Sequence, residues 1–328
     1  MPRTVEVCGS ACPKQPPPRL AFATIAFQLL TIATLVTSCA AHTLPPSEAL
    51  WYSRNDDESI LSFEANASHI SIVSPQVFGF DSTGNINGSV APRVIAAAKA
   101  SRVKLVPLVM NPGFDQQLIH HILSESVDSL HHAGCTVSAA VVPRLNEDPG
   151  VTAYQKWIFD NWRAAYDYKA LADTLDFISY MTYAQHTGGS TPGPVAGFPW
   201  MESSLQYALS LGVSPSKISL GIPAYSDYWF SAYEPATGSR MRGNDIAYPA
   251  VMRIMSKAGA KPQWDDVQKA SYAMWEDHGV FEHAWLEDAR AFKEKLELVR
   301  KYKLRGYSVW LLGLEDPATW GVAGPVAK

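Results

Sequence analysis

The side chains best suited to chemistry lie in the run 176–186. Its first half mixes β-branched and aromatic residues, as a buried strand does, and its second half turns polar before a glycine-rich segment at 188–193. The strand therefore presents the Tyr183 hydroxyl and the Gln185 amide at its carboxyl end. In a barrel of parallel strands that end carries the active site, so we expect these groups to meet a polar ligand.

Predicted strands and helices alternate along most of the chain. The strands cover residues 49–52, 69–73, 104–110, 136–142, 176–183, 217–225 and 306–312. The helices cover residues 56–67, 91–101, 114–124, 167–175, 201–211 and 289–302. Strands separated by helices pair in parallel through right-handed crossovers, and this many units favour a closed barrel over an open sheet. The predicted fold class is therefore α/β, a TIM-type (β/α)8 barrel.

The alternation stops between residues 225 and 289. The segment 229–287 holds many aromatic residues among short polar turns, which predicts a small inserted α+β subdomain. Within it we expect a helix over 248–257 and a hairpin over 271–281. An insertion at the carboxyl end of a barrel strand forms one wall of the cleft, because all such loops emerge on the same face.

Composition excludes some classes of function. The 328 residues carry a formal net charge of -4 and the pI is about 6.1, so no basic field attracts nucleic acid. Ten Trp and fourteen Tyr provide flat faces that stack on sugars, although a rich core uses most of them. Adjacent histidines at 120–121 and 131–132 diverge on a helix, so we predict no metal site. We also predict no cofactor, no nucleic-acid partner and a monomer.

The first 39 residues have the features of a targeting signal. Basic residues precede an apolar run at 20–36, which ends at Val36-Thr37-Ser38-Cys39 and is similar to the signal peptide of a bacterial lipoprotein. This similarity predicts a lipid on Cys39, a linker over 40–47 and an extracytoplasmic protein anchored to the membrane of the cell envelope. A plain signal peptide and an uncleaved anchor are the alternatives. Cys135 is left without a disulfide partner, and we expect it to be a small buried residue.

Three strand ends carry the motifs Met181-x-Tyr183, Gly221-Ile-Pro223-Ala-Tyr225 and Gly306-Tyr-Ser-Val-Trp310. In this order they resemble glycoside hydrolase family 18, and the likeness covers roughly residues 48–322. The resemblance implies cleavage of β-1,4 bonds beside N-acetylglucosamine, in chitin-like polymers or peptidoglycan, with the substrate's own acetamide as nucleophile. It also implies the substrate-binding residues. These are Tyr183 holding the acetamide, Trp310 as the floor under the sugar, and Tyr225, Met181 and Gln185.

The chain departs from the family at two places. The family's acid motif, Asp-x-x-Asp-x-Asp-x-Glu on the fourth strand, is absent, and residues 111–135 leave room for one helix and two loops only. One strand-helix unit of the barrel is therefore missing, and the catalytic acid is not found. The second departure is Ala184, where the family usually has Asp. Asp227 follows the predicted strand 217–225, and we expect it to be a solvated loop residue; contact with sugar hydroxyls is the alternative.

Three functions fit these observations. The chain is a hydrolase with an acid from an unexpected place, a non-catalytic carbohydrate-binding barrel, or an internally deleted inactive product. Loss of a strand affects the fold as well as the chemistry, because strand number and tilt are coupled when a barrel closes.

Overall fold

The computed structural model describes residues 47–80, 85–110, 127–234, 238–277 and 279–324. The strands are β1 Glu48–Ser53, β2 Ile72–Phe80, β3 Ile86–Gly88, β4 Lys104–Leu105, β5 Leu108–Met110, β6 Ser138–Val141, β7 Phe177–Tyr180, β8 Ile218–Pro223, β9 Tyr225–Glu234, β10 Gly238–Ala247, β11 Gln263–Asp265, β12 Ala270–Asp277, β13 Val280–Leu286 and β14 Gly306–Trp310. The helices are α1 Asp57–Asn66, α2 Pro92–Ser101, α3 over residues 127–132, α4 Ala153–Ile158, α5 Tyr168–Thr174, α6 Phe198–Ser210, α7 Tyr248–Ala258, α8 Ala289–Lys301 and α9 Thr319–Ala323.

One large sheet curls through the molecule in the order β3-β2-β1-β14-β8-β7-β6. Every neighbouring pair is parallel except β2 and β3, and β4 and β5 both pair in parallel with β2. The predicted strand 104–110 is thus interrupted around Pro107, which has no backbone N–H to donate. The alternating α/β pattern and the barrel-type curl of the sheet are confirmed.

An open seam separates β5 from β6. Within the described residues no strand pairs with the outer edge of either one. The seam lies where the missing strand-helix unit was predicted, between the third strand and the strand at 136–142. At the amino-terminal end of the seam, the Lys104 ammonium donates a hydrogen bond to the Thr136 hydroxyl. The predicted helix 114–124 lies outside the described residues.

Strand alternation gives the sheet two buried faces. On β1, Ala49 and Trp51 face the surrounding helices, where Trp51 stacks on Phe292 and Trp320 at centroid distances of 6.1 and 4.3 Å. Two alternate β1 residues, Leu50 and Tyr52, face the interior of the curl together with Ile72, Phe177 and Leu311. The interior is therefore packed with side chains, as in a closed barrel.

A second sheet of five antiparallel strands, in the order β10-β9-β13-β12-β11, forms the inserted subdomain. It spans residues 225–286 and starts one residue after β8 ends. Helix α7 covers one face through Val251 and Met255, which pack on Trp275 and Leu286. The helix and the hairpin predicted inside this segment are both present.

Cys135 is exposed between α3 and β6, so the expectation that it is buried is wrong. This position lies outside both packed faces of the sheet.

In the described part of the chain, no helix combines the length and apolar character needed to cross a bilayer.

Candidate functional site

The predicted site residues gather at the carboxyl ends of β7, β8 and β14. Thr182 donates its hydroxyl to the Gly221 carbonyl at 2.7 Å, which holds the chain after β7 against β8. A Cβ on Gly221 would lie 2.5 Å from the Tyr180 carbonyl oxygen, so only glycine allows the two strands this close. The tight contact places Met181 and Tyr183 at the end of the curled sheet where the carboxyl ends of its strands lie, although β7 itself ends at Tyr180. We call this end the mouth of the curl.

Trp310 ends β14 and is partly exposed at this mouth. Its ring centroid lies 5.4 Å from that of Tyr52, with the planes tilted by 55°. Tyr52 donates its hydroxyl to Ser179 at 2.9 Å, and Ser179 lies 2.7 Å from the Ser308 hydroxyl. Burial raises the pKa of Tyr52 to about 12, so the group is a neutral phenol that supports the Trp310 ring.

Tyr183 lies close enough to Tyr225 to raise the pKa of the Tyr225 hydroxyl electrostatically. Burial raises the pKa of Tyr183 well above the usual value, and Tyr52 adds to this electrostatically. Burial also raises the pKa of Tyr225, reinforced by Asp227, Asp245 and Tyr183. The structure thus brings Tyr52, Tyr183, Tyr225 and Trp310 together, and we call this cluster the aromatic mouth. Neutral phenol hydroxyls and a partly exposed indole face suit the hydroxyls and flat faces of a sugar.

The loop after β7 uses some of its polar groups internally. The Gln185 side-chain oxygen accepts a hydrogen bond from the Gly197 backbone at 2.7 Å, which ties the loop to the start of α6. His186 lies 3.0 Å from the Thr191 carbonyl oxygen. Ala184 is exposed and has a positive φ of 57°, a conformation that Asp and Asn tolerate better than Ala. A sugar contact by Gln185 stays a prediction.

Asp227 was predicted to be a solvated loop residue, and this is wrong. It lies within β9, directly opposite Asp245 on β10, and is only 1% exposed. The insertion begins as a strand immediately after β8, so Asp227 is held inside the second sheet. Burial, then the negative charges of Asp245 and Glu287, raise the pKa of Asp227 to about 8.

Tyr52 and Asp245 are the two residues near the mouth that sequence reasoning missed. Tyr52 follows the inward-facing Leu50 by two positions on β1, and this alternation is the signal that could have found it. Asp245 had no such signal, because its place opposite Asp227 depends on the register of β9 and β10.

No catalytic acid is found beside the seam. A family-18 acid needs an Asp and a Glu two residues apart on one strand, and the described residues of β5 and β6 contain neither. Glu287, another buried carboxylate, is bonded to the Lys295 ammonium. In the described part of the chain, no three His, Cys, Asp or Glu side chains are placed to hold a metal ion.

The curled parallel sheet, the wall inserted after β8 and the aromatic mouth together define a glycosidase-type α/β barrel. Residues 137–315, more than half of the chain, match the model of the glycosyl hydrolases family 18. The chain belongs to this family.

Known proteins resemble the chain in sequence and in fold. A cortical fragment-lytic enzyme of Bacillus subtilis (strain 168) is 29% identical over 207 residues, which are 63% of this chain but 45% of that enzyme. The spore cortex-lytic enzyme SleL of Bacillus megaterium QM B1551 has the same fold, with a TM-score of 0.72 and 20% identity over 86% of this chain and 74% of that one. A chitinase from Chromobacterium violaceum ATCC 12472 also has this fold, with a TM-score of 0.69 and 21% identity. The match covers 84% of this chain and 98% of the chitinase.

Proposed function

We propose that this protein binds polysaccharides that contain N-acetylglucosamine and holds them at the aromatic mouth. The observation that carries the proposal is the retained group of Trp310, Tyr52, Tyr183 and Tyr225 at the strand ends. Trp310 offers a partly exposed ring braced by Tyr52, and the partly buried Tyr183 and the buried Tyr225 add neutral phenols to the same cluster. The family membership and the similarity to a chitinase and to cortex-lytic enzymes support this class of ligand.

Binding without hydrolysis is the form of this function that we favour. Substrate-assisted cleavage needs a carboxylic acid to protonate the leaving oxygen, and in the described part of the chain no strand lies between β5 and β6 to carry it. Incubation with a chromogenic di-N-acetylchitobioside tests this directly. Turnover that disappears in Tyr183→Phe would show that the chain has an acid after all and is a hydrolase.

The binding experiment is a pull-down on insoluble chitin and on peptidoglycan. We expect the wild-type protein to bind at least one of them, and Trp310→Ala to lose most of the binding because the stacking surface is removed. Trp157→Ala is the matched control, since this tryptophan is 58% exposed on α4 and lies outside the aromatic mouth. Failure of the wild type to bind either polymer, or equal loss in both variants, contradicts the proposal.

We also propose that Cys39 carries a lipid and anchors a monomeric protein to the membrane of the cell envelope. The support is the apolar run and the residues Val36-Thr37-Ser38 before the cysteine, all outside the described residues. Metabolic labelling with a tagged fatty acid in a bacterial host should mark the wild type and leave Cys39→Ser unlabelled. Equal labelling of both, or labelling of neither, counts against the anchor.

Light scattering on the detergent-free Cys39→Ser protein tests the monomeric state.

A further inference from the structure

Asp227 and Asp245 form a pair of carboxyl groups on the inserted sheet. They are directly opposite each other on β9 and β10, so both side chains extend from the same face of that sheet. Tyr225 lies two residues before Asp227, on the same side of β9, because successive side chains on a strand alternate. Both carboxyls and Tyr183 raise the pKa of Tyr225 electrostatically. The pair therefore lies close to the aromatic mouth.

The two members of the pair differ in access to solvent. Asp227 is 1% exposed, and neither of its carboxylate oxygens accepts a hydrogen bond from a described donor. Asp245 is exposed. A carboxylate buried without a donor is strongly disfavoured. The pair thus has an exposed carboxyl, Asp245, backed by a buried and unsatisfied one, Asp227.

The charged groups around Asp227 do not neutralise it. Glu287, the residue after β13, adds a further negative charge, and the Lys295 ammonium that reaches this region from α8 is already bonded to Glu287. The other titratable neighbour in the cluster, Tyr225, is a neutral phenol. Among the described side chains, no lysine or arginine contacts the Asp227 carboxyl.

We propose that the Asp227–Asp245 pair is a binding site for a cationic sugar amine, the ammonium group of a de-N-acetylated glucosamine unit in the bound polysaccharide. This inference rests on the proposed function, because the aromatic mouth places the sugar chain beside the pair. A neutral hydroxyl or acetamide would satisfy Asp245 alone. An ammonium group supplies three donors and a positive charge, which compensates both carboxylates at once.

Binding of the amine releases a proton from Asp227. Before binding, the buried Asp227 carboxyl holds this proton. After binding, Asp227 is a carboxylate that faces the ammonium ion, and the proton has passed to the solvent or buffer. Charge and protons balance: one cation enters the site and one proton leaves it. A metal ion is a poorer occupant, since two carboxylates are fewer ligands than Ca²⁺ or Mg²⁺ requires.

The test is titration calorimetry at pH 6 with two tetrasaccharides, chitosan tetramer and N-acetylchitotetraose. At this pH a sugar amine is charged, because its pKa is close to that of an α-amino group, about 7.7–8.0. We expect the amine tetramer to bind roughly tenfold or more tightly, as for a charge-assisted hydrogen bond. Repeating the titration in buffers with different ionisation enthalpies should show proton release for the amine tetramer only.

Two variants and one control make the result specific. Asp245→Asn should remove the preference for the amine tetramer, and Asp227→Asn should abolish the proton release while it retains binding of N-acetylchitotetraose. Asp173→Asn is the matched control, because that carboxylate is 63% exposed on α5 and paired with Lys169. If both tetrasaccharides bind equally and Asp245→Asn changes nothing, this inference alone is overturned. If neither tetrasaccharide binds, the proposed function has failed and this inference fails with it.

Discussion

At the scale of single residues, surroundings decide chemistry as much as residue type does. Asp227 stands in the sequence as an ordinary polar residue after a strand, and solvent exposure is the normal state of Asp. Its burial follows from the pairing of β9 with β10 and β13, which joins residues far apart in the chain. Trp310 was predictable because it ends a strand, and Tyr183 because it follows one by three residues, where the local pattern is informative.

The pH dependence of stability should reveal the buried Asp227 carboxyl. In the unfolded chain an Asp loses its proton above about pH 4, whereas the folded-state pKa of Asp227 is about 8. The folded state therefore holds an extra proton between these values, and wild-type stability falls as the pH rises through this window. Asp227→Asn cannot lose a proton. Its free energy of unfolding should rise relative to wild type by roughly 1 kcal/mol per pH unit.

Urea denaturation of both proteins at pH 5, 6 and 7 measures this difference. Asp173→Asn serves as the reference, because its carboxylate is largely exposed and should change the profile little. Parallel profiles for wild type and Asp227→Asn would mean that the carboxyl is solvated in the folded protein.

At the scale of elements, strands and helices with a clear period were predicted well. Helix α1 begins after Asp56, whose side chain accepts from the Ser59 backbone at 2.8 Å, and α8 begins after the similar cap Asp288. The short helix α4 was missed, because its six residues include no buried side chain and so show no apolar period. The hairpin of β9 and β10 was missed because tertiary pairing, more than local preference, defines it.

The buried ion pair between Glu287 and Lys295 should be the main attachment of α8 to the inserted sheet. Their side chains are 2% and 0% exposed, and burial raises the pKa of Glu287 to about 7, with Lys295 opposing the shift. Lys295→Met leaves an uncompensated buried carboxylate, so we expect a loss of about 3–5 kcal/mol in the free energy of unfolding at pH 8. Thermal and urea denaturation measure the loss.

Two comparisons isolate the buried charge. Adding Glu287→Leu to Lys295→Met should restore most of the stability, since no unpaired carboxylate remains. Lys301→Met breaks the pair with Glu202, in which Lys301 is 60% exposed, and should cost less than about 1 kcal/mol. Equal losses in the two single variants would show that packing of the lysine stem, and not its charge, is responsible.

At the scale of the whole molecule, the order of strands and the position of the missing unit were predictable from sequence. The spacing between the third strand and the strand at 136–142 was too short for another strand-helix unit, and the seam lies there. The way the sheet responds to the loss was not predictable. The contact of Lys104 with Thr136 across the amino-terminal end depends on how far the remaining strands curl.

Backbone amides should exchange their hydrogens more slowly the farther their strand lies from the seam. Strands β1, β14 and β8 lie in the middle of the sheet with partners on both sides, whereas β5 and β6 border the seam. Local opening is easiest where fewest backbone bonds must break. We expect amides of β14 to exchange at least about a hundredfold more slowly than those of β6. Equal protection of the two strands, measured by mass spectrometry, would mean that the edge of β6 is covered in solution.

The inserted wall has no hinge. One residue, Ala224, separates β8 from β9, and its backbone N–H donates to the Trp310 carbonyl at 2.6 Å. At the other end, two residues separate β13 from α8, one of them in the buried ion pair. Domain closure requires a few residues free to absorb backbone rotation, and neither junction provides them. The cleft should behave as a rigid slot that selects ligands by fit, so small-angle scattering should give the same radius of gyration with and without bound oligosaccharide.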